Sequence, residues 1–471
     1  MNRLNMNNNV RNNRKKHISK YKKKYSSNKL KKLPQINTSA SGGGNIINNS
    51  KKSFLDEFKE RFNNPAENVT NNLFTPVLNS VNRLVIIGDI HGDLSALVKC
   101  LKLAKCISED LILPSEHRNF TKDTKYFTAF LNRLKWIGGN THIVQLGDLI
   151  DRVRPQYDNG FHQYNDELNT TIADAVEDES STLKIFALIT KLDDLAKIDG
   201  GRFIPIIGNH EIMNVEQNFG YVSLKEFLGF KNAFGTTEIN NMISRKRTTT
   251  AHQNITRKIN IYRHNTHNTH NTHNTKRHLI GYEERAIAFA PGSICANWLA
   301  IQCVPMLQIG SWLMVHGGIV DGLFTSAINI YSINNIIRSY LLGNTDSENE
   351  KKYNELINSG DRSIFWTRRI SDNDELASNL NEYVDRILTE YNRSIYSSNN
   401  GGISVVKYVA VGHTPQFYTN KGINNDNDPR IWCCDVGMSR AFGKNNDPSV
   451  KNVRTPAILE VLGDNSPKVI I

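Results

Sequence analysis

No run of eighteen apolar residues occurs anywhere in the chain, so no stretch of it is expected to span a membrane as a helix. The N-terminus also lacks the apolar segment between basic and cleavage regions that marks a secretory signal, and export by that route is not expected. Cysteines are few. Cys100, Cys106, Cys295, Cys303, Cys433 and Cys434 are scattered through strand-like and helix-like segments rather than spaced as a disulfide framework, which points to a reducing, intracellular compartment such as the cytoplasm. Acidic residues are missing altogether from residues 1–32, where twelve Lys or Arg stand. The formal charge of +12 therefore belongs to this arm, and beyond it 46 basic residues face 46 acidic ones. That balance excludes a uniformly basic body built to bind nucleic acid.

The arm is rich in Asn, Lys and Ser and poor in large apolar side chains, so it cannot bury enough surface to offset its ordering entropy and reads as disordered. Its expected uses are solubility or weak contact with RNA or another polyanion. From Thr38 to Asn49 the composition turns to Ser, Gly and Asn, which is flexible-linker chemistry, and Phe54 to Phe62 reads as a short helix at most. Residues 1–78 are thus expected to be arm and linker, and 79–471 the catalytic domain. With 39% hydrophobic residues the chain can build a sizeable core. A low-complexity insertion is expected around 236–278, where HNT repeats from His264 to Thr275; the short polar period favours a surface insertion over a dedicated metal tract.

What the body does contain is one plan, repeated. Leu84–Asp93 (LVIIGDIHGD), Val144–Arg152 (VQLGDLIDR) and Ile204–Glu211 (IPIIGNHE) are apolar runs that reach a glycine and then offer carboxylate, amide or imidazole groups. LMVHGG, ending at Gly318, and VAVGHT, ending at Thr414, stop at a histidine in the same way. Each run reads as a buried strand opening into a loop. Leu94, Leu97, Val98, Leu101 and Ala104 recur at helical spacing, and Ser181–Ala196 predicts a second helix closed by Gly200-Gly201. Strands are expected at Thr141–Leu149 and Phe203–Ile207, helices between Gly322 and Tyr396, and a second sheet from Val405–Val411, Ile431–Val436 and Ala457–Leu462. Strands alternating with helices predict a layered α/β fold whose ligands gather beyond the carboxyl ends of the strands.

Asp, Asn and His without cysteine suit Mn, Fe or Zn, and a carboxylate can bridge two such ions. On this reading Asp89 and His91 hold the first ion, Asp148 bridges, and Asn209, His316 and His413 complete the second. Paired ions lower the pKa of a shared water, so that hydroxide is available near neutral pH for in-line attack on phosphorus. Arg152 and Arg368 are the candidate phosphate clamps, with Asn209 beside them in the substrate-binding set. His210 would protonate the leaving alkoxide, with Asp151 on its other ring nitrogen. One such motif is weak; five in order are specific.

With GDIHGD at 88–93, GDLIDR at 147–152, GNHE at 208–211, HGG at 316–318 and GHT at 412–414, the chain resembles the calcineurin-like metallophosphoesterases, and within them the phosphoprotein phosphatases. GNHEIMN at 208–214, Gly220-Tyr221-Val222 and DVGMSRAFG at 435–443 are similar to the Shewanella-like phosphatase branch. The resemblance spans about residues 82–465 apart from the insertion. It implies a four-layer α/β/β/α sandwich with two mixed β-sheets, two metal ions, and phosphorylated proteins or peptides (Ser/Thr and/or Tyr) as substrates. It implies the residue roles just given as well. Val153 departs from the glycine usual after the DR pair, and its β-branch would restrict that turn and displace Arg152. Alternatives on the same motifs are hydrolysis of dinucleoside polyphosphates or nucleic-acid diesters, and a non-catalytic binding module.

Overall fold

The apolar runs become strands β1 (Val77–Leu78), β2 (Arg83–Ile87), β3 (His142–Gln145), β4 (Arg202–Pro205), β5 (Met306–Ile309), β6 (Trp312–Val315), β7 (Tyr408–Val411), β8 (Ile431–Cys433), β9 (Ile458–Leu462) and β10 (Lys468–Ile470). The computed structural model describes residues 52–63, 75–153, 180–235, 280–325, 328–358, 360–372, 379–396, 404–442, 454–463 and 466–471. The basic arm and the HNT insertion lie outside the described residues.

Two five-stranded sheets form, in the orders β1-β5-β6-β7-β8 and β10-β9-β2-β3-β4. In the second, β2, β3 and β4 run parallel, with Ile86 opposite Val144 and Val144 opposite Ile204. This register brings the three ligand-bearing turns out side by side. In the other sheet β6, β7 and β8 are parallel, Met314 facing Ala410 and Ala410 facing Trp432, so the two histidine turns also emerge together. β5–β6 and β10–β9–β2 are antiparallel, which makes both sheets mixed and the fold α/β. Strands β5 and β6 are buried throughout, as continuous apolar runs require. Both sheets share one apolar core.

Helices follow the site strands. Leu94–Leu103 starts at Asp93, whose carboxylate accepts the Ala96 N–H, and it buries Leu94, Leu97, Val98 and Leu101. Thr182–Ile198 occupies the expected second helix, buries Leu183, Phe186, Ile189 and Leu192, and packs on β4. Helices Ile330–Leu341, Ser347–Ile357 and Leu380–Tyr396 fill the polar stretch after Gly322. Among the described residues no helix is long and apolar enough to cross a membrane.

Three expectations change. Ala457–Leu462 does not join the second group of strands: β9 pairs antiparallel with β2, Val85 facing Glu460, and covers the edge of β2 that β3 leaves open. An apolar run fixes that a strand is buried, not which edge it pairs. The strand expected over Thr141–Leu149 stops at Gln145 because Gly147 (φ 95°) and Asp148 (φ 53°) turn the chain. Finally, the helix Phe54–Phe62 is packed well ahead of Asn79. Ser53 and Asp56 cap it reciprocally, and Phe54, Leu55, Phe58 and Phe62 are buried. Phe54 meets Phe127 edge-on at 5.0 Å, Phe58 lies 6.3 Å from Phe186, and the Phe62 carbonyl accepts the Asn297 side-chain N–H at 2.9 Å. Phe58→Ala should therefore destabilise the body by about 3–5 kcal/mol in denaturant titration; a loss below about 1 kcal/mol would mean that this helix is peripheral.

Candidate metal centre

The five turns are tied to one another by backbone bonds. The Ile90 and His91 N–H groups donate to the Asp148 carbonyl at 3.1 and 2.8 Å, and Gly92 N–H to Leu149 at 2.8 Å, joining the first turn to the second. The His210 N–H donates to Asp148 Oδ1 at 3.0 Å, bringing in the third. Gly412 N–H donates to the His316 carbonyl at 2.9 Å, and His413 N–H to Asp89 Oδ2 at 3.0 Å, which links the turns of one sheet to those of the other. Glu211 reinforces the seam: its buried carboxylate accepts the N–H groups of Gly208, Asp148 and Leu149 at 2.8, 3.0 and 2.9 Å. Burial pushes the Glu211 acid up to about 8, and the neighbouring charge of Asp148 adds to this.

This convergence strains the chain. His91, Asp148, Asp151 and His413 have φ of 45°, 53°, 71° and 65°, half of the eight non-glycine residues with positive φ among those described. Such conformations cost energy and persist where the surroundings impose them, often at functional sites. Two glycines make room. A Cβ on Gly208 would strike the Asp148 backbone nitrogen and Oδ1, and one on Gly412 would strike Asp89 Oδ1.

Within this seam the side chains form three overlapping groups that could hold cations: Asp89, His91 and Asp435; His91, Asp148 and His210; and Asp148, His316 and His413. His91 Nε2 lies 3.7 Å from Asp89 Oδ2 and 3.8 Å from Asp148 Oδ2. His316 Nε2 lies 3.4 Å from Asp148 Oδ1 and 2.8 Å from Asn209 Oδ1. Its Nδ1, 2.7 Å from the Leu146 carbonyl, must carry the hydrogen on that side, because a carbonyl only accepts; Nε2 is then turned on two oxygens. The Trp366 carbonyl takes the Nε2–H of His413 at 3.1 Å and leaves Nδ1 as its lone-pair nitrogen. Carbonyls behind the rings thus select ligand-ready tautomers.

The electrostatics agree. Burial opposes charge on Asp148, but His316, His210 and His91 outweigh it and hold the carboxyl well below its ordinary range. Burial likewise opposes charge on His316, and Asp148 outweighs it and raises the ring's affinity for a proton. His413 is driven well below the usual imidazole range by burial, with Arg368 and His316 adding to it. Buried carboxylates at Asp89, Asp148 and Asp435 call for positive charge among them. The donor set of oxygen and imidazole nitrogen fits divalent Mn, Fe or Zn.

Asp89, His91, Asp148, Asn209, His316 and His413 thus meet in this seam. His210 Nδ1 is 3.0 Å from Asp151 Oδ2, and its Nε2 is 3.8 Å from Asp148 Oδ2. Arg152 is buried, with Nη1 3.2 Å from Asp93 Oδ2. Val153, expected to restrict this turn, donates its N–H to the Tyr221 carbonyl at 3.0 Å. Arg368, half-buried, donates to the His413 carbonyl at 2.9 Å. Sequence reasoning missed several neighbours. Asp435 follows the apolar run of β8 without an intervening glycine, and that run was the available signal. Arg440 grips Asp93 bidentately, Nε to Oδ2 at 2.9 Å and Nη2 to Oδ1 at 3.0 Å. Burial alone would raise the Asp93 acid, but Arg440's hydrogen bonds, with the charges of Arg152 and Arg440, hold it at about 2.

Residues 82–284 match the family of calcineurin-like phosphoesterases. Shewanella-like protein phosphatase 2 of Arabidopsis thaliana is 24% identical over 389 residues, covering 82% of this chain and 77% of that protein. An uncharacterized protein of Acanthamoeba polyphaga mimivirus is 26% identical over 286 residues, 58% of this chain and 92% of its own length. Among solved structures, the cold-active protein-tyrosine phosphatase of a psychrophile Shewanella species aligns with a TM-score of 0.46 at 17% identity, over 85% of this chain and 83% of that one.

The close approach at Gly208 is open to test. Gly208→Ala would drive a methyl group into Asp148, and overpacking of this kind costs about 1–3 kcal/mol, seen as a lower melting temperature. An unchanged melting temperature would show that the third turn does not pack against the second as described.

Proposed function

We propose that this chain, whose residues 82–284 match the calcineurin-like phosphoesterases, is a metal-dependent phosphoprotein phosphatase that hydrolyses phosphomonoesters of Ser/Thr and/or Tyr. The observation that carries this reading is the meeting of Asp148 with His91, His210 and His316, one carboxylate against three imidazoles drawn from three turns. In this reading Asp89, His91, Asp148, Asn209, His316 and His413 would hold two metal ions, Asp89 and His91 on one side of Asp148 and Asn209, His316 and His413 on the other. Bound metal ions supply Lewis acidity toward the phosphoryl oxygens and a water nucleophile at neutral pH.

The chain's own groups do the rest. Arg152 and Arg368 orient the phosphate as fixed cations, with Asn209 in the same substrate-binding set. His210 is the general acid. Asp151 accepts from its Nδ1, so the ring is held in one orientation with Nε2 toward the metal centre, where a protonated ring can pass its proton to the departing alkoxide. The backbone carbonyls of Leu146 and Trp366 keep the two ligand histidines in the needed tautomers.

The test is hydrolysis of phosphoserine, phosphothreonine and phosphotyrosine peptides by purified protein in Mn-containing buffer, run beside a phosphodiester. Turnover of at least one peptide, abolished by chelation and restored by Mn, supports the proposal. No peptide turnover with ions bound, or turnover of the diester alone, contradicts it. Asp148→Asn should remove nearly all activity. His210→Asn should lower kcat on a phosphoserine peptide by about a hundredfold or more while metal content stays as in the parent protein; a parallel loss of metal would reassign His210 as a ligand.

A further inference from the structure

Behind His210 lies a buried charged network that the roles above leave unused. Arg285, on the helix Tyr282–Phe289, is fully buried. Its Nη2 donates to Asp151 Oδ1 at 3.2 Å, its Nε to Asn214 Oδ1 at 2.8 Å and its Nη1 to Glu226 Oε2 at 3.4 Å. Asn214 Nδ2 in turn donates to Asp151 Oδ2 and to the His210 carbonyl, both at 2.9 Å. The guanidinium also lies over the rings of Phe230 and Phe289, at 4.7 and 5.0 Å. The far end is anchored too, because Glu226 Oε1 accepts the N–H groups of Ser181 and Thr182 at 2.6 and 3.0 Å.

A buried ion network is seldom the most stable way to fill such space, since apolar residues of similar volume commonly do as well. What this one achieves is geometric. Both oxygens of Asp151 are engaged from behind, Oδ1 by Arg285 and Oδ2 by Asn214, and Oδ2 still faces His210 Nδ1. Asp151 sits on a strained backbone (φ 71°), and those two donors fix the plane of its carboxylate against the imidazole.

We propose that Arg285 and Asn214 are positioning residues for proton delivery: they lock Asp151 so that His210 can donate to the leaving oxygen, and they thereby set how well the enzyme handles esters with poor leaving groups. This rests on the phosphatase reading and on His210 as its acid. An alkoxide such as the serine oxygen needs a proton as the P–O bond breaks, whereas a p-nitrophenolate departs without one. Loss of the lock should therefore be felt by the first kind of substrate and much less by the second.

Arg285→Lys, which keeps the charge and loses the fork, and Asn214→Ala, which strands no buried charge, would each be assayed on a phosphoserine peptide and on p-nitrophenyl phosphate, with metal content measured on the same samples. The expected result is a kcat on the peptide that falls about tenfold or more beyond the fall on the aryl ester, with metal stoichiometry as in the parent protein. Equal falls on both esters, or no fall on either, would overturn the proposal, because a structural role does not distinguish leaving groups. If Arg285→Lys does not fold, Asn214→Ala decides. A parent protein inactive on both esters overturns the phosphatase reading, and this inference with it.

Discussion

One buried carboxylate on a strained turn is the constraint from which the rest of the centre follows. Asp148 offers its carbonyl to the first turn, its Oδ1 to the backbone of the third, and its charge to three imidazoles. A carboxylate removed from water costs several kcal/mol unless opposite charge and hydrogen bonds surround it. The sheet register and the Glu211 clasp supply that surrounding only if β3 stops where it does and the chain turns at Gly147 and Asp148. Strand length, glycine placement and positive φ are therefore parts of one arrangement.

The two sheets divide the labour. Turns after β2, β3 and β4 bring Asp89, His91, Asp148, Asn209 and His210, while turns after β6 and β7 bring His316 and His413. The bond from the His413 N–H to Asp89 closes the gap between the two sets. Around them stand cations held by carboxylates: Arg152 and Arg440 on Asp93, and Arg285 on Asp151 and Glu226. Each guanidinium is thereby held in one orientation by a carboxylate.

Much of this was legible in the sequence because chemistry and periodicity coincide there. An apolar run ending in glycine and a ligand residue states both that a strand ends and what it presents, so the six proposed ligands, the Asp151–His210 pair and two of the arginines could be named from spacing and family resemblance. What escaped was partner choice. The run at Ala457–Leu462 is plainly a strand, yet nothing in it says that β2 is its neighbour. FLDEFKERF looks like an isolated amphipathic turn or two until Phe127 and Phe186 supply its other half. Arg285 lies in YEERAIAF, where a charge pattern typical of a solvated face conceals a buried guanidinium, and only tertiary contacts with Asp151 and Glu226 reveal it.

The central claim is that this seam holds metal, and elemental analysis of the purified chain tests it most directly. Two transition-metal ions per chain after loading with Mn, Fe or Zn, falling when Asp148 is replaced by Asn, is the predicted result. A native chain that retains its fold and binds no stoichiometric transition metal would contradict the account.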